Sequence, residues 1–387
     1  MTIDMLPETS SVPAKERRRL VLAVLLGVFP AGVSFTLLST VIAFTLERRG
    51  APASGIGLNA AMMPLATLVL APFIPRMAAR LGGLVLLIGA QVLLMATTLL
   101  YPVLDTETAW LGLRFLGGAG ATIVWIVTET WLNTGADEKR RGLYVGLYGA
   151  SLALGMAAGP GIVALTGSDG YAPFVAGAGL CAAVLVPVML LVRRSPAMGD
   201  HPSPPLRHIV RAMPAAFALA AAGGLAETAT FALFPVYGIA TDIGEAVTLA
   251  AISAFFIGNV VLQPPIGWTL DRMGPAAVTA VLLAGLGLLP LGFHAAAHAG
   301  LLPPLTFFWG GATFSLYLVG LTLIGRRFKG VSLVSANSAF IVVYQMGALA
   351  GPLAAGGAMD AFGTDAFPAT FLVLAVLTSA FVFSRRG

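Results

Sequence analysis

The stretch Gly155-Met-Ala-Ala-Gly159-Pro160 returns 192 positions later as Gly347-Ala-Leu-Ala-Gly351-Pro352. The same displacement aligns Pro72, Arg80 and Gly82 with Pro264, Arg272 and Gly274. Because 192 is close to half of the 387 residues, the chain reads as two copies of one unit. The two copies are predicted to occupy residues 1–192 and 213–387, and a Pro-rich linker is predicted at 193–212.

The composition places most of this chain in lipid. Hydrophobic residues make up 58% and charged residues 10%, and the mean hydropathy is +0.91, which is too apolar for a soluble domain. Helices are the expected spanning elements, because each satisfies its own backbone hydrogen bonds. Twelve apolar segments are long enough to cross a bilayer: 20–46, 54–74, 83–102, 109–132, 142–165, 172–192, 213–239, 246–267, 276–295, 302–325, 335–357 and 367–384. Duplicated membrane halves are typical of secondary transporters, whose substrate binds between the repeats.

Basic residues are strongly biased to one side of these predicted spans. Nineteen of the 22 Lys and Arg residues precede the first span, follow an even-numbered span or end the chain, and the exceptions are Arg48, Arg49 and Arg114. By the positive-inside rule both termini are expected to be cytoplasmic, in a multi-pass protein of the bacterial plasma (inner) membrane. This topology also accounts for the net charge of +5, so the basic composition does not indicate nucleic-acid binding.

Several residue types argue against other classes of function. Cys181 is the only cysteine and lies in the sixth predicted span, which excludes an intrachain disulfide. His294 and His298 have the spacing of two metal ligands on a helix, but the sequence offers no clear third ligand, and neither a metal nor a cofactor is predicted. The sequence contains no phosphate-binding loop, nucleophile elbow or dinucleotide motif, so neither an ATP-driven pump nor an enzyme is expected.

A charged loop motif follows the eighth predicted span. The stretch Gly267-Trp-Thr-Leu-Asp271-Arg272-Met-Gly274 has the spacing G-x-x-x-D-R-x-G, and Asp271 can interact with the positive end of a neighbouring helix dipole. This spacing resembles a signature loop of the major facilitator superfamily, which implies an all-α membrane fold of two pseudo-symmetric six-helix bundles that works by alternating access. The first half keeps Arg80 but has Ala79 in place of the aspartate, so gating is expected to be unequal in the two halves.

Further motifs extend the resemblance to nearly the whole chain. The stretch from Arg114 to Ala121 resembles the R-x-x-x-G-x-G-x-A motif of the family, and residues 155–160 resemble a Gly-Pro motif associated with antiporters. Close helix packing by small residues would explain the same glycines. The strings Glu129-Thr-Trp131-Leu-Asn133 and Leu262-Gln-Pro-Pro-Ile-Gly-Trp268 resemble the YcaD-like branch, which implies no particular cargo. The predicted gating residues are Glu129, Arg76, Arg80, Gly267, Asp271, Arg272, Gly155, Gly159, Pro160, Gly347, Gly351 and Pro352.

Three ionisable residues lie within predicted spans: Arg114, Glu129 and Glu227. Because a charge in lipid is costly, such residues usually face a cavity or a partner. Arg114 is predicted to take part in proton coupling, although it could instead bond backbone carbonyl groups. Glu129 lies close to the cytoplasmic end of the fourth span, and we favour a gate clasp between it and Arg76 or Arg80.

Glu227 lies near the centre of the seventh span and is the principal candidate for proton coupling. A carboxyl group at this depth needs a cationic partner or must bind and release a proton. Phe231 and Phe234 follow on the same helical face, and an acidic group beside aromatic rings suits an amphipathic organic cation. Alternatively, Glu227 bonds a helix break after Gly223 and Gly224, and both phenylalanines face lipid.

Other polar and aromatic residues complete the predicted cavity. Thr122 and Trp125 fall on the same face of the fourth span as Arg114 and Glu129, and the family architecture places that span beside the central cavity. The predicted cargo contacts are Trp125, Thr122, Phe231, Phe234, Asn259, Tyr317 and Gln345. The polar members of this set could equally bond helix to helix.

These observations predict a secondary active transporter that exports a small organic molecule in exchange for protons. Its other expected partners are membrane lipids, and it is expected to work as a monomer. A proton-coupled uptake symporter is the close alternative. A receptor or lipid-handling protein without coupled transport is the alternative of another class.

Overall fold

The computed structural model describes residues 14–135, 141–191 and 206–384, and this part of the chain is almost entirely helical. In chain order the helices are α1 (Ala14–Arg48), α2 (Ala53–Leu70), α3 (Ile74–Leu81), α4 (Gly83–Leu100), α5 (Glu107–Gly135), α6 (Arg141–Thr166), α7 (Ala172–Leu191), α8 (Leu206–Ala212), α9 (Pro214–Ala240), α10 (Glu245–Met273), α11 (Pro275–Leu288), α12 (Phe293–His298), α13 (Leu302–Arg327), α14 (Gly330–Phe362) and α15 (Ala366–Ser384). A short 3-10 turn, Leu289–Gly292, separates α11 from α12.

The predicted number of membrane spans is confirmed. Within the described ranges twelve segments are long and apolar enough to cross a bilayer. The ninth, Pro275–His298, is not one continuous helix, because Pro290 lacks a backbone N–H and the chain forms the 3-10 turn there. The predicted linker 193–212 is described only from α8 onward, and its residues 193–205 lie outside the described residues.

Glycines of the repeated motif let α6 lie against α1 and α14 lie against α9. A Cβ atom on Gly155 would collide with the carbonyl oxygen of Phe29, and one on Gly347 would collide with that of Ala221. One turn on, the equivalent pairs are Gly159 with Val33 and Gly351 with Leu225. The partners in the two halves are separated by the same 192 residues, so the sequence repeat is also a repeat of contacts. These glycines therefore pack helices tightly within each half.

The two halves meet mainly where α1 packs on α9, α2 on α14 and α6 on α10, and α2 also contacts α9. We call the side on which α1 ends at Arg48 and α2 begins at Ala53 the far face. The opposite side, on which α1 begins and α15 ends, is called the terminal face. This arrangement places the middle of α1 and the middle of α9 at the junction between the halves.

Each half has its own buried contacts. In the N-terminal half, the Cys181 thiol of α7 is buried and lies 3.2 Å from the Ser34 hydroxyl of α1. In the C-terminal half, an aromatic cluster holds α9, α13 and α15 together, and it consists of Phe234, Tyr237, Phe293, Trp309, Phe367 and Phe371. Such a cluster buries a large apolar area with specific ring geometry.

Candidate functional site

The far face is closed by backbone contact between α2 and α14. Gly57 packs against the carbonyl group of Pro352, and Gly356 packs against that of Ala53. A Cβ atom on either glycine would overlap the opposite backbone, so this close approach depends on the absence of a side chain. The two halves are thus in direct contact at this face.

Asp360 strengthens the closed far face by capping a helix of the other half. Its two carboxylate oxygens accept hydrogen bonds from the backbone N–H groups of Ala53, at 2.8 Å, and Ser54, at 3.0 Å. These N–H groups begin α2, have no partner within their own helix and lie at the positive end of its dipole. Pro52, which precedes them, supplies no side-chain acceptor. A carboxylate of the C-terminal half therefore stabilises a helix start of the N-terminal half only when the far face is closed.

Two of the three basic residues that depart from the charge bias pair with acids at the far face. Arg48 lies 2.5 Å from Asp169 and 2.6 Å from Glu245, and Arg49 lies 2.5 Å from Asp105. Because Glu245 begins α10, Arg48 joins the two halves. The pairs are partly exposed, so each contributes only about 0.2–1 kcal/mol. Sequence reasoning did not find this contact, although the unusual side on which Arg48 and Arg49 lie was a signal for it.

Glu227 lies at the centre of α9 and is buried, with 8% of its surface exposed. Within the described part of the chain, its carboxyl group has no cationic or hydrogen-bonding partner. One turn later, Phe231 meets Phe35 of α1 edge to face, with 4.5 Å between ring centroids. The repeat aligns Phe35 with Glu227 itself. The carboxyl group is therefore one helical turn from an aromatic contact that crosses the junction of the halves.

Phe234 does not share this environment. It is 1% exposed and belongs to the aromatic cluster of the C-terminal half, with its ring 5.3 Å from that of Phe293. In this structure Phe234 therefore packs inside the C-terminal half and not beside Glu227, and neither phenylalanine faces lipid. Helical spacing placed Phe231 and Phe234 on one stripe correctly, but α9 is enclosed by different neighbours at the two levels.

The residues on the predicted cavity face of α5 do not share one environment. Thr122 is 1% exposed and its hydroxyl lies 2.7 Å from that of Thr67, so it joins α5 to α2 and does not line a cavity. Trp125 and Glu129 are half-buried and interact with each other one turn apart. The short Thr122 side chain lets α2 pack closely on α5. At this level α2 therefore covers the face of α5 that was predicted to line the cavity.

Glu129 and Glu227 come from different halves, and both influence Tyr317 of α13 electrostatically. The Tyr317 hydroxyl is within electrostatic reach of both carboxyl groups, and its ring stacks edge-on with Tyr344 at 5.2 Å. The clasp predicted between Glu129 and Arg76 or Arg80 is not formed here. Both arginines are exposed, and no ion pair joins them to Glu129 within the described ranges.

The remaining predicted cargo contacts are polar residues of α10 and α14. Asn259 is 8% exposed and accepts a hydrogen bond from the Gln263 side chain one turn later. Gln345 is half-buried on α14. For Asn259 the observed bond lies within one helix, so this bond does not join two helices.

The charged loop motif lies at the terminal face, where α10 ends. Asp271 and Arg272 are exposed, and the Asp271 carboxylate lies 3.9 Å from Arg326 at the end of α13. The Arg272 guanidinium stacks 3.8 Å above the Trp268 ring. A Cβ atom on Gly267 would approach only Leu318, at 3.9 Å, so this conformation does not require glycine there.

Arg114 is enclosed within the N-terminal half. It is 3% exposed, and its guanidinium donates a hydrogen bond to the Ser39 hydroxyl of α1. Neither Glu227 nor Glu129 interacts with it. The structure therefore separates Arg114 from the two carboxyl groups that lie within predicted spans.

Twelve spans, two halves that repeat the same contacts, and a buried carboxyl group beside their junction define a multi-pass integral membrane transporter. The chain belongs to the Major Facilitator Superfamily, whose model matches residues 24–251 and 216–384. It is a transporter of the YcaD-like type and not an enzyme.

Two relatives illustrate this membership. The chain is 27% identical over 346 residues to the Uncharacterized MFS-type transporter YfkF of Bacillus subtilis (strain 168), covering 86% of each protein. It is 23% identical over 248 residues to the Uncharacterized MFS-type transporter YcaD of Escherichia coli (strain K12 / DH10B), covering 63% of this chain and 64% of the relative.

Two solved structures have the same fold. A mutant of the nucleoside transporter NupG superimposes with a TM-score of 0.78 at 13% identity, covering 96% of this chain and 100% of that chain. A bacterial homolog of the human lysosomal transporter Spinster, in an inward-facing and unoccupied conformation, gives a TM-score of 0.72 at 12% identity and covers 96% of each chain. At these identities the likeness shows the fold alone.

Proposed function

We propose that this transporter exports an amphipathic organic cation in exchange for protons. The observation that carries the proposal is the Glu227 carboxyl group, which is buried at the centre of α9 and has no cationic partner within the described residues. A carboxylate at this depth requires a positive charge, which either a proton or a cationic cargo supplies. Because one carboxylate accommodates only one of the two, binding of either displaces the other, and this displacement couples the two fluxes.

The surroundings of Glu227 favour a cargo with an apolar body. The rings of Phe35 and Phe231 lie one turn away, and the Tyr317 hydroxyl is within electrostatic reach of the carboxyl group. A cation over an aromatic ring gains about 0.5–2 kcal/mol, depending on how far it is desolvated. Trp125 and Gln345 are retained as proposed contacts from α5 and α14, because both are only half-buried.

Alternating access in this proposal is a movement of residues 1–192 against 213–387, with 193–212 as the connection. The far face opens when Gly57 separates from Pro352 and Asp360 leaves the start of α2. The gating role of Asp271 and Glu129 applies to the opposite state, in which the terminal face closes. Arg114 would act in coupling through its fixed charge, because a guanidinium does not release its proton.

An uptake symporter would use the same carboxyl group, but proton and cargo would then bind together. Counterflow in proteoliposomes separates these possibilities from a receptor that does not transport.

A thermal-shift screen against organic cations, neutral metabolites and organic anions first identifies a ligand, because ligands of the folded state raise its apparent stability. Export predicts that cargo accumulates in inverted vesicles whose lumen is more acidic than the outside, because protons then leave the lumen as cargo enters it. A cargo that leaves those vesicles under the same gradient favours symport, and absence of counterflow for every ligand contradicts transport.

Phe231→Ala is expected to weaken cargo binding without uncoupling transport from protons. The substitution removes the ring next to Glu227 and leaves the carboxyl group in place, so the expected result is a dissociation constant raised about tenfold, from a loss of roughly 1–2 kcal/mol. The measurement is cargo binding to the purified protein, together with transport at saturating cargo.

Phe234→Ala is the matched control, because Phe234 lies in the aromatic cluster of the C-terminal half. It should lower the free energy of unfolding, by about 3–5 kcal/mol, and change cargo affinity little. Equal affinity losses in both variants would contradict the assignment of Phe231.

Both chain ends are expected to lie in the cytoplasm. A reporter that is active only in the cytoplasm should therefore be active when fused to either end, and a reporter that is active only outside the cytoplasm should be inactive at both. This orientation follows from the bias of loop Lys and Arg residues toward the terminal face. Reporters that function on opposite sides of the membrane test it directly. Opposite locations for the two ends would require an odd number of spans and would contradict both the topology and the repeat.

A further inference from the structure

Arg114 is a buried cation for which the protein supplies few acceptors. Its guanidinium donates to the Ser39 hydroxyl, its Nε atom has no hydrogen-bond partner, and no carboxylate of the described residues pairs with it. A guanidinium carries five N–H donors, and the Ser39 and Tyr101 hydroxyl groups are the acceptors near it, which leaves the Nε donor unused by protein atoms. A buried charge is normally paired, and this one calls for an anion.

A small cavity adjoins the Arg114 guanidinium. It lies among α1, α2, α4 and α5, and its lining includes Ser34, Phe35, Met63, Tyr101 and Gly117. Its size corresponds to about one water molecule. The buried Tyr101 hydroxyl interacts with the guanidinium, which can only donate to it, and its own proton has no acceptor among the described residues, so it is a second donor available at this place.

The C-terminal half shows the equivalent position without a charge. The repeat aligns Arg114 with Thr306 and Ser39 with Phe231. The Thr306 hydroxyl lies 2.8 Å from the Ala251 carbonyl oxygen and 3.0 Å from that of Pro303, so backbone acceptors satisfy it. The fold therefore accepts a small, satisfied side chain at this depth, and packing alone does not account for an arginine.

We propose that the Arg114 cavity binds one chloride ion inside the N-terminal half. Arg114 supplies the positive charge and N–H donors, and Tyr101 supplies a hydroxyl donor. Chloride is larger than water but smaller than a carboxylate or phosphate group, so among anions the size of the cavity favours a monoatomic one. Phe35 lines this cavity and also packs on Phe231, which places the anion one side chain from the junction of the halves.

The test measures the thermal unfolding midpoint of the purified full chain while sodium chloride replaces sodium gluconate at constant ionic strength. We expect a saturable rise with chloride, and with bromide in its place, because an ion that binds the folded state raises the midpoint. Arg114→Gln should abolish the halide-dependent rise. Tyr101→Phe should raise the halide dissociation constant about threefold to tenfold, as expected for the loss of one hydrogen bond. Thr306→Val, the change at the repeat-related position, should keep the full rise.

A crystal of the unaltered chain grown with bromide gives a second measurement that needs no variant. An anomalous peak beside the Arg114 guanidinium is expected. This peak tests halide binding in the cavity even if Arg114→Gln does not fold. The proposal is overturned by an unaltered chain whose midpoint is independent of halide, by a full rise in Arg114→Gln, or by bromide found only outside this cavity. None of these readouts involves transport, so they leave the proposed exchange at Glu227 to be judged separately.

Discussion

Glu227→Gln is expected to abolish pH-driven net transport while some exchange of cargo for cargo persists. The amide is close in shape to the carboxyl group but cannot bind and release a proton, so a proton gradient no longer drives the cycle. In inverted vesicles, cargo uptake under an imposed pH gradient should fall to the level of vesicles without the protein. Exchange of labelled for unlabelled cargo, measured without a gradient, should remain detectable.

Glu107→Gln is a suitable control for this experiment. Glu107 lies exposed in the first turn of α5, so the same chemical change there should leave gradient-driven uptake intact. Normal gradient-driven uptake by Glu227→Gln would show that the proposed proton site is wrong. Glu129, which Tyr317 links electrostatically to Glu227, and Arg114 would then be the next candidates.

Gly57→Ala is expected to prevent full closure of the far face and to slow transport strongly. The added methyl group would overlap the Pro352 carbonyl group, so α2 and α14 must separate. Overpacking of this kind costs about 1–3 kcal/mol, which lowers the closed population about fivefold to a hundredfold relative to open states. A thiol introduced by Ser54→Cys, beside the Asp360 cap, should therefore react faster with a reagent added at the far face.

Gly55→Ala, on the same helix, is the matched control for Gly57→Ala. A Cβ atom there would lie 3.5 Å from the Pro52 side chain, which is ordinary contact, so neither labelling nor transport should change much. Gly356→Ala, which would meet the Ala53 backbone, should reproduce the effect of Gly57→Ala from the other side of the same contact. If Gly57→Ala and Gly55→Ala label and transport alike, the contact of α2 with α14 does not limit the cycle.

The sequence predicted the spans and their duplication well, because both depend on local properties. Each span is recognisable from its own hydropathy, and a shared displacement of 192 residues needs no knowledge of the packing. The displacement even relates contacts, since Gly155 meets Phe29 and Gly347 meets Ala221. The break of the ninth span at Pro290 was not predicted, although a proline at that place was a visible signal.

The site was predictable only in part, because periodicity identifies the face of a helix but not what covers it. Glu227 could be recognised from its depth in an apolar span. Thr122 could not be assigned correctly, because its bond to Thr67 depends on how closely α2 approaches. Asp360 and Ala53 are more than 300 residues apart in the chain, and no local pattern relates a carboxylate to the start of a distant helix. The same limit concealed Tyr101 as the neighbour of Arg114.

The position of Cys181 makes this protein convenient for distance spectroscopy. Its thiol is buried and faces Ser34 within the N-terminal half, so reagents could reach it only if α7 separated from α1. A rigid-body movement of one half against the other would keep those two helices together. Spin labels or fluorophores could then be attached to one engineered cysteine in each half without removing the native one. The distribution of distances between the labels would report directly how often the transporter occupies each conformation in a bilayer.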